Sequence, residues 1–197
     1  MKITNEQIAE LKGKYTKLYK VTRRENDYIF RLPTFKEWKE ARRKDSTFST
    51  NDKLVSTCLV FPTLQEMRSD EKSDAVLVEV LGRKLITYLM EDEQDGDTDG
   101  QKILFEDGSS GFKISRRGRS LKFRSPTRAE WKRISSLIGS DNFTALEYLV
   151  EQCKLDITDS ELMGLVESDV VFIELVGGPF IKMVAEDLMD AEGKEIS

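Results

Sequence analysis

Two segments of the chain are so alike that they predict two copies of one folding unit. Residues 20–39 (KVTRRENDYIFRLPTFKEWK) align without a gap with residues 113–132 (KISRRGRSLKFRSPTRAEWK), and ten of the twenty positions are identical. Self-similarity of this kind is the signature of an internal duplication. The duplication constrains the fold more than any other feature, because each copy must then form the same elements in the same order.

The similarity continues beyond these segments. After two inserted residues, LVSTC at 54–58 aligns with LVEQC at 149–153, and the same shift of 95 aligns Gly82 with Gly177. The predicted organisation, in chain order, is an N-terminal helical segment (1–19), repeat unit 1 (20–90), an acidic Gly-containing linker with the lead-in to a hairpin (91–110), repeat unit 2 (111–190) and a flexible tail (191–197).

Each copy begins with a pattern typical of a short strand. Tyr28, Phe30 and Leu32 alternate with polar residues before Pro33, and the second copy has a similar alternation before Pro126. Alternation of this kind is typical of a half-buried strand. The preceding segments, KLYKV and GFKIS, are expected to pair with these strands as β-hairpins.

A helix start follows each hairpin. Thr34–Glu37 and Thr127–Glu130 have the Thr-x-x-Glu spacing of a capping box, in which the threonine hydroxyl and the glutamate side chain satisfy free amides. Trp38 and Trp131 fall in the first helical turns, where we expect both to anchor the helix to the strands as equivalent core residues.

Further helices are predicted at about 50–60, 63–70, 74–90, 142–154, 158–167 and 169–189. Capping-box spacings recur at Thr63–Glu66 and Thr158–Glu161, and the tract GGP at 177–179 is expected to interrupt the last helix. The predicted fold class is therefore α+β and mainly helical, with two tandem copies of a small β-hairpin followed by three or four helices.

The composition argues against many enzyme classes. The chain has no histidine, so neither a Ser-His-Asp triad nor a Cys-His pair can be assembled. No apolar run approaches the roughly 18 residues of a membrane span, and the N-terminus lacks the apolar centre of a signal peptide. We therefore expect a soluble, cytoplasmic protein that is not an enzyme and does not bind membranes. Its two cysteines, Cys58 and Cys153, can form one disulfide, but a reducing compartment favours two buried thiols.

The acidic stretch between the copies resembles a calcium loop. DGDTDGQKILFE places acids at positions 1, 3 and 5, glycine at 6 and glutamate at 12, which is the EF-hand spacing. The candidate metal ligands are Asp95, Asp97, Asp99 and Glu106. However, Lys102 occupies a position that is usually aliphatic, and the residues after Glu106 favour a turn and a strand instead of an exit helix. A plain linker is therefore the preferred interpretation; no cofactor is expected, although calcium stays possible.

Charge is unevenly distributed along the chain. The net charge is −5, yet residues 113–133 carry +8 and residues 20–44 carry +5, which leaves −18 for the remainder. Basic hairpins of this kind suit phosphates or an acidic partner. The alternative is that they meet acidic helices or are simply solvated. The candidate partner-binding residues are Arg116, Arg117, Arg119, Arg124, Arg23 and Arg24.

The duplicated unit, in both copies (about 20–90 and 113–189), resembles the small tail assembly chaperones of contractile-tailed bacteriophages and related prophages. Pro126, Thr127, Arg128 and Glu130 match the helix start of that family, in which a strand leads into Pro-Ser/Thr-Arg-x-acid. Later elements match as well: Cys153 with Leu155, Cys58 with Val60 and Pro62, and Leu162 with the helix after Ser168. The family member with this pattern is a single unit, whereas this chain has two, and Phe35 replaces Arg128 in the first copy.

The resemblance implies a non-enzymatic function. Such proteins are thought to keep the long helical tape measure protein soluble until tube subunits polymerise around it. The expected partner is thus a phage tail protein, either the tape measure protein or a tube or baseplate subunit, in the host cytoplasm. The alternatives are a structural component of the tail or baseplate, and a nucleic-acid-binding protein that uses the basic hairpins.

Overall fold

A computed structural model describes residues 1–43, 46–72, 74–90, 99–116 and 118–189, and of residues 70, 71, 99 and 187–189 it describes the backbone alone. The chain divides into two compact units, Met1–Asp92 and Glu93–Ser197. Within the described residues, each unit combines helices with one three-stranded antiparallel sheet. The predicted fold class, α+β and mainly helical, is confirmed.

The elements of the first unit are α1 (Asn5–Lys14), β1 (Leu18–Arg23), β2 (Asn26–Arg31), α2 (Phe35–Arg42), α3 (Thr47–Cys58), β3 (Leu59–Phe61), α4 (Leu64–Glu71) and α5 (Leu77–Met90). Those of the second unit are β4 (Asp99–Leu104), β5 (Ser110–Arg116), β6 (Arg119–Arg124), α6 (Arg128–Leu137), α7 (Asn142–Cys153), α8 (Asp159–Ser168) and α9 (Phe172–Met189). From β1 and from β5 onward, two paired strands are followed by four helices in each unit.

The predicted hairpins are present in both units. β1 pairs with β2 through a two-residue loop, Arg24 and Glu25, whose φ angles of 46° and 63° are both positive. This conformation matches the right-handed twist of the strands but is strained for residues with a side chain. The loop between β5 and β6 contains Gly118 at φ 68°, where the positive angle costs a glycine little.

All four predicted capping boxes form. The threonine hydroxyl accepts the glutamate amide at Thr34–Glu37, Thr63–Glu66, Thr127–Glu130 and Thr158–Glu161, and the glutamate side chain accepts the threonine amide in return. These local bonds satisfy amides that would otherwise lack a partner, and they set the first residue of α2, α4, α6 and α8.

The helices pack on one face of each sheet. In the first unit Phe30, Trp38 and Leu81 are completely buried. In the second, the ring of Phe180 from α9 lies 5.3 Å from Phe112 and 4.8 Å from Phe123, measured between centroids. Aromatic pairs at this distance contribute to stability beyond their buried area.

The longest helix of each unit approaches a neighbour at a glycine. A Cβ at Gly82 of α5 would lie 2.5 Å from the Cβ of Asn51 in α3, and a Cβ at Gly177 of α9 would lie 2.9 Å from the Cβ of Leu146 in α7. Such separations exclude any side chain, so the aligned glycines allow the same close helix pairs, α3–α5 and α7–α9, in the two units.

The N-terminal segment is hydrogen-bonded to the start of β2. The Asp27 amide donates to the Met1 carbonyl at 2.8 Å, and the Ile3 amide donates to the Asp27 carboxylate at 3.3 Å. Asp27 itself is nearly completely buried. Residues 1–3 are therefore tied to the first unit by these contacts.

Several elements differ from the sequence-based expectations. The helix predicted at about 50–60 ends at Cys58, because Leu59–Phe61 pairs with β2 as β3. Part of the predicted linker, Asp99–Leu104, is the strand β4. The predicted interruption at 177–179 is wrong, since α9 continues through Pro179. Finally, Trp38 is completely buried whereas Trp131 is only half-buried, so the two tryptophans are not equivalent core anchors.

Candidate functional site

An arginine at the end of the second hairpin strand of each unit, β2 or β6, is held by the capping glutamate of the next helix. Arg31 at the end of β2 donates to both carboxylate oxygens of Glu37, at 2.8 and 2.9 Å. Arg124 at the end of β6 donates to both oxygens of Glu130, at 2.7 and 2.8 Å. These bidentate pairs join strand and helix in the same way in the two units. Arg124, a predicted partner-binding residue, is thus hydrogen-bonded within its own unit.

The same two arginines also reach a carbonyl at the end of a second helix. Arg31 donates to the Thr57 carbonyl at 3.0 Å in α3, and Arg124 donates to the Gln152 carbonyl at 2.8 Å in α7. Carbonyls in the last turn of a helix lack an intrahelical donor. Each guanidinium therefore ties together a strand end, a helix start and a helix end.

The arginines lower the pKa of the two capping glutamates. Hydrogen bonds from Arg31 bring the pKa of Glu37 to about 2, helped by the Thr34 amide and opposed by burial. Arg124 and the Thr127 amide act in the same way on Glu130, whose pKa is also about 2. Both carboxylates therefore stay ionised even at pH values far below 7.

We expect these glutamates to make stability fall with pH between about pH 5 and pH 2. Since the folded pKa lies below the ordinary value, each ionised carboxylate stabilises the protein above pH 5, and this contribution is lost as pH falls through the folded pKa. It amounts to about 1–2 kcal/mol per group. Urea unfolding at several pH values measures it. Glu37→Gln and Glu130→Gln should be less stable than the wild type at pH 7 and should lose less below pH 5; an unchanged slope would contradict the assignment.

The arginines next to the hairpin loops hold the start of the last helix in each unit. Arg23 Nη2 donates to Asp74 Oδ1 at 3.0 Å, and Arg24 Nε lies 3.6 Å from the same carboxylate. At the aligned positions Arg116 Nε donates to Asp169 Oδ2 at 2.7 Å. Asp74 and Asp169 each precede the last helix of the unit, and their carbonyls accept an amide from its first residue.

The two pairs differ in exposure. The side chain of Arg23 is 25% exposed, whereas those of Arg116 and Asp169 are 7% and 5% exposed. Arg116 therefore forms a buried ion pair, in which removal of one partner leaves an uncompensated charge. The hydrogen bonds from Arg23 lower the pKa of Asp74.

The six candidate arginines are thus placed in different environments. Arg23, Arg116 and Arg124 form ion pairs within their own units, and Arg24 contacts Asp74. Arg117 lies outside the described residues. Arg119, the first residue of β6, is exposed to solvent. Of the five described arginines, four therefore already lie beside carboxylates of their own units.

A cleft of about 570 Å³ opens beside Arg119 in the second unit. It lies between the ends of β5 and β6, α8 and the start of α9. The lining residues are Arg116, Arg119, Glu161, Gly164, Leu165, Ser168, Asp169 and Phe172. Leu165 and Phe172 supply apolar surface, while Arg119 and Glu161 place opposite charges at the exposed rim. Arg116 and Arg119 were predicted from the sequence as partner-binding residues. The residues of α8 and α9 that line the cleft were not predicted to bind a partner, and among them only Asp169 is marked, by its alignment with Asp74.

The calcium-loop prediction does not fit the fold. Asp95 and Asp97 lie outside the described residues. Asp99 begins β4, and Glu106 is exposed in the turn after that strand. From Asp99 to Leu104 the extended backbone spans roughly 17 Å, so Asp99 and Glu106 cannot bind one ion together, as an EF-hand loop requires. Within the described residues, no three Cys, Asp or Glu side chains are grouped closely enough to hold a metal ion.

The two cysteines are buried thiols, as predicted. Cys58 ends α3 and Cys153 ends α7, both are completely buried, and neither is in a disulfide. Burial raises the pKa of each thiol to about 12. Since the thiolate is the reactive form, these residues are structural and are not available as nucleophiles.

No protein-family model matches the chain, and no curated protein or solved structure is significantly similar to it. Within the part of the chain that the structure describes, none of the helices combines the length and the apolar character needed to cross a membrane. The fold and the cleft define a two-unit α+β protein whose second unit has a cleft lined by apolar and charged side chains.

Proposed function

We propose that the protein is a non-enzymatic assembly chaperone that binds a helical segment of a phage tail protein in the host cytoplasm. The cleft beside α8 is the observation that supports this proposal most directly. Clefts of this volume hold a small ligand or the side chains of a bound segment. The proposed partner is the tape measure protein or a subunit of the tube or baseplate, as the resemblance of the duplicated unit implies.

The chemistry of the cleft favours a polypeptide over a phosphate-bearing ligand. Arg119 and Glu161 stand at the rim with opposite charges, and Asp169 neutralises Arg116 within it. A polyanion would meet two carboxylates there, whereas an amphipathic helix can bury an apolar side chain and pair charged neighbours of either sign.

A blocked cleft tests the proposal. Gly164 is an exposed helical residue with nothing within 4 Å of a Cβ, so Gly164→Phe can fill the recess without disturbing the fold. Gly13→Phe is the matched control, since Gly13 is also helical, exposed and free of neighbours at Cβ. The tagged full-length chain would be isolated gently at low salt from producing cells, and bound proteins quantified by mass spectrometry.

We expect a long coiled-coil tail protein to accompany the wild type and Gly13→Phe, and about tenfold less of it to accompany Gly164→Phe. Equal recovery with all three proteins would remove the cleft from the binding surface. Nucleic acid that is released by salt would favour the alternative in which the hairpins bind nucleic acid. Recovery of the tagged chain in purified particles would favour a structural component of the tail or baseplate.

A further inference from the structure

Within the described residues, the backbone groups on the outer edge of β1 have no strand beside them. In the first sheet the strand order is β1-β2-β3, so β1 has a neighbour on one side only. Because a two-residue loop closes the hairpin, Arg23 and Asn26 form a hydrogen-bonded pair, and Leu18, Lys20 and Thr22 direct their N–H and C=O groups away from β2. Among the described residues, no backbone group is bonded to this outer side. Lys20 and Thr22 are also exposed.

The second unit occupies the same edge with a strand of its own. The residues aligned with Leu18, Lys20 and Thr22 are Gly111, Lys113 and Ser115. Their partners in β4 are Ile103, Gln101 and Asp99, respectively. One unit thus carries an antiparallel strand at the edge that the other leaves open, and the geometry of the open edge is that of a strand acceptor.

A pair of tyrosines stands beside the open edge. Tyr19 of β1 and Tyr88 of α5 stack with their centroids 5.6 Å apart, and Tyr88 is 38% exposed. Tyr88 aligns with Met183 of α9, whose Cε would lie 2.8 Å from a Cβ at Gly100 of β4. A strand added to β1 as β4 is added to β5 would therefore pass over Tyr88, and a small residue at that point, like Gly100 in β4, leaves the ring in place.

The charges around the edge select an acidic occupant. Four cations, Lys17, Lys20, Arg23 and Arg24, lie on β1 or next to it, against three carboxylates, Glu25, Asp27 and Asp74, that neutralise a large part of this charge. The remaining positive charge disfavours a second copy of β1, because two such edges would repel each other. An acidic segment would be attracted to it.

We propose that the outer edge of β1, with the Tyr19–Tyr88 pair, binds an extended acidic segment of a partner protein as an added antiparallel strand. Backbone hydrogen bonds to Leu18, Lys20 and Thr22 hold the segment, and a glycine or another small residue lies over Tyr88. This surface is in the first unit and is separate from the cleft of the proposed function. A sheet edge with open hydrogen-bonding groups is a ready template for such pairing.

A peptide with the sequence of residues 95–104, DGDTDGQKIL, is the probe. It contains the β4 sequence, three acids and the glycine that aligns over Tyr88. It would be titrated into the ¹⁵N-labelled full-length chain at low salt, and amide chemical shifts followed. We expect the changes to cluster at Leu18, Lys20, Thr22 and Tyr88. A peptide with its three aspartates replaced by lysine, or with Gly100→Val, should bind about tenfold more weakly.

A variant pair in the protein isolates the backbone contact. Thr22→Pro removes an outward N–H that the β1–β2 ladder does not use, and proline is tolerated at an edge. It should weaken peptide binding about tenfold, whereas Thr22→Ala, which keeps the N–H, should change it by less than about threefold. Gly164→Phe should leave the affinity unchanged, which distinguishes this site from the cleft.

Three results would overturn the proposal. The first is the absence of shifts at β1 up to about 1 mM peptide, which corresponds to a negligible affinity. The second is equal binding by Thr22→Pro and Thr22→Ala. The third is a concentration-dependent doubling of mass in sedimentation that Thr22→Pro abolishes, which would assign the edge to a second copy of this chain.

Discussion

Replacement of Trp38 by alanine is expected to lower the free energy of unfolding of the first unit by about 3–5 kcal/mol. The indole is completely buried, and the guanidinium carbon of Arg42 lies 5.5 Å from the ring centroid. Truncation removes a large apolar contact and leaves a cavity that neighbouring side chains fill only in part. Trp131→Ala should cost much less, about 1–2 kcal/mol, because Trp131 is half in contact with water already.

Urea unfolding followed by far-ultraviolet circular dichroism measures both variants. The spectrum reports helix content in both units, so a separate transition of the first unit would be visible in Trp38→Ala. Trp38→Phe is the conservative control and should recover a large part of the loss. Equal losses at the two tryptophans would mean that their burial does not decide their contribution to stability.

Replacement of Arg116 by methionine is expected to destabilise the second unit by about 3–5 kcal/mol. Arg116 and Asp169 are both nearly inaccessible to water, so loss of the guanidinium leaves a buried carboxylate without its partner. Asp169→Asn should be similarly costly, because it leaves the buried Arg116 guanidinium without the carboxylate that neutralises it. Arg23→Met should cost less, because Arg23 is partly exposed and a second cation, Arg24, stays beside the Asp74 carboxylate.

A double-mutant cycle separates the interaction energy of the ion pair from the contributions that the two side chains make independently. Arg116→Met combined with Asp169→Leu should recover much of the stability lost in either single variant, since an apolar pair of similar size needs no desolvation of charge. The measurement is again the free energy of urea unfolding. A loss below about 1 kcal/mol for either single variant would show that water reaches the pair and screens it.

The elements with local sequence signals were predicted well. The capping boxes depend on residues three positions apart, and the hairpins on alternation over a few residues, so both can be recognised without tertiary information. The strands β3 and β4 were missed. Leu59–Phe61 continues the apolar pattern of α3, and Asp99–Leu104 follows an acidic tract typical of linkers. Each becomes a strand only because a distant strand presents an open edge.

The break predicted in α9 fails for a related reason. Proline inside a helix removes one hydrogen bond and crowds the preceding turn. In α9 that cost is offset by packing, since Val176 and Phe180, on either side of Pro179, are completely buried. Tertiary contacts of this kind routinely outweigh local preference.

In the candidate site, too, some features were predicted from the sequence and others were decided by tertiary contacts. The arginines were found from the two aligned segments, but their roles were not. Arg124 and Arg31 are committed to capping glutamates six residues away, and Arg116 to Asp169, 53 residues away. The cleft in the second unit and the open edge in the first involve residues from several elements, and no pattern along the chain marks them.

The sequence by itself determined the four capped helix starts and the two hairpins, because short-range spacing and polarity specify each of them. Only the tertiary structure decided which charges are neutralised, which tryptophan is core and which sheet edge is left open. These properties depend on what lies across from a residue in space, and that partner is far away along the chain.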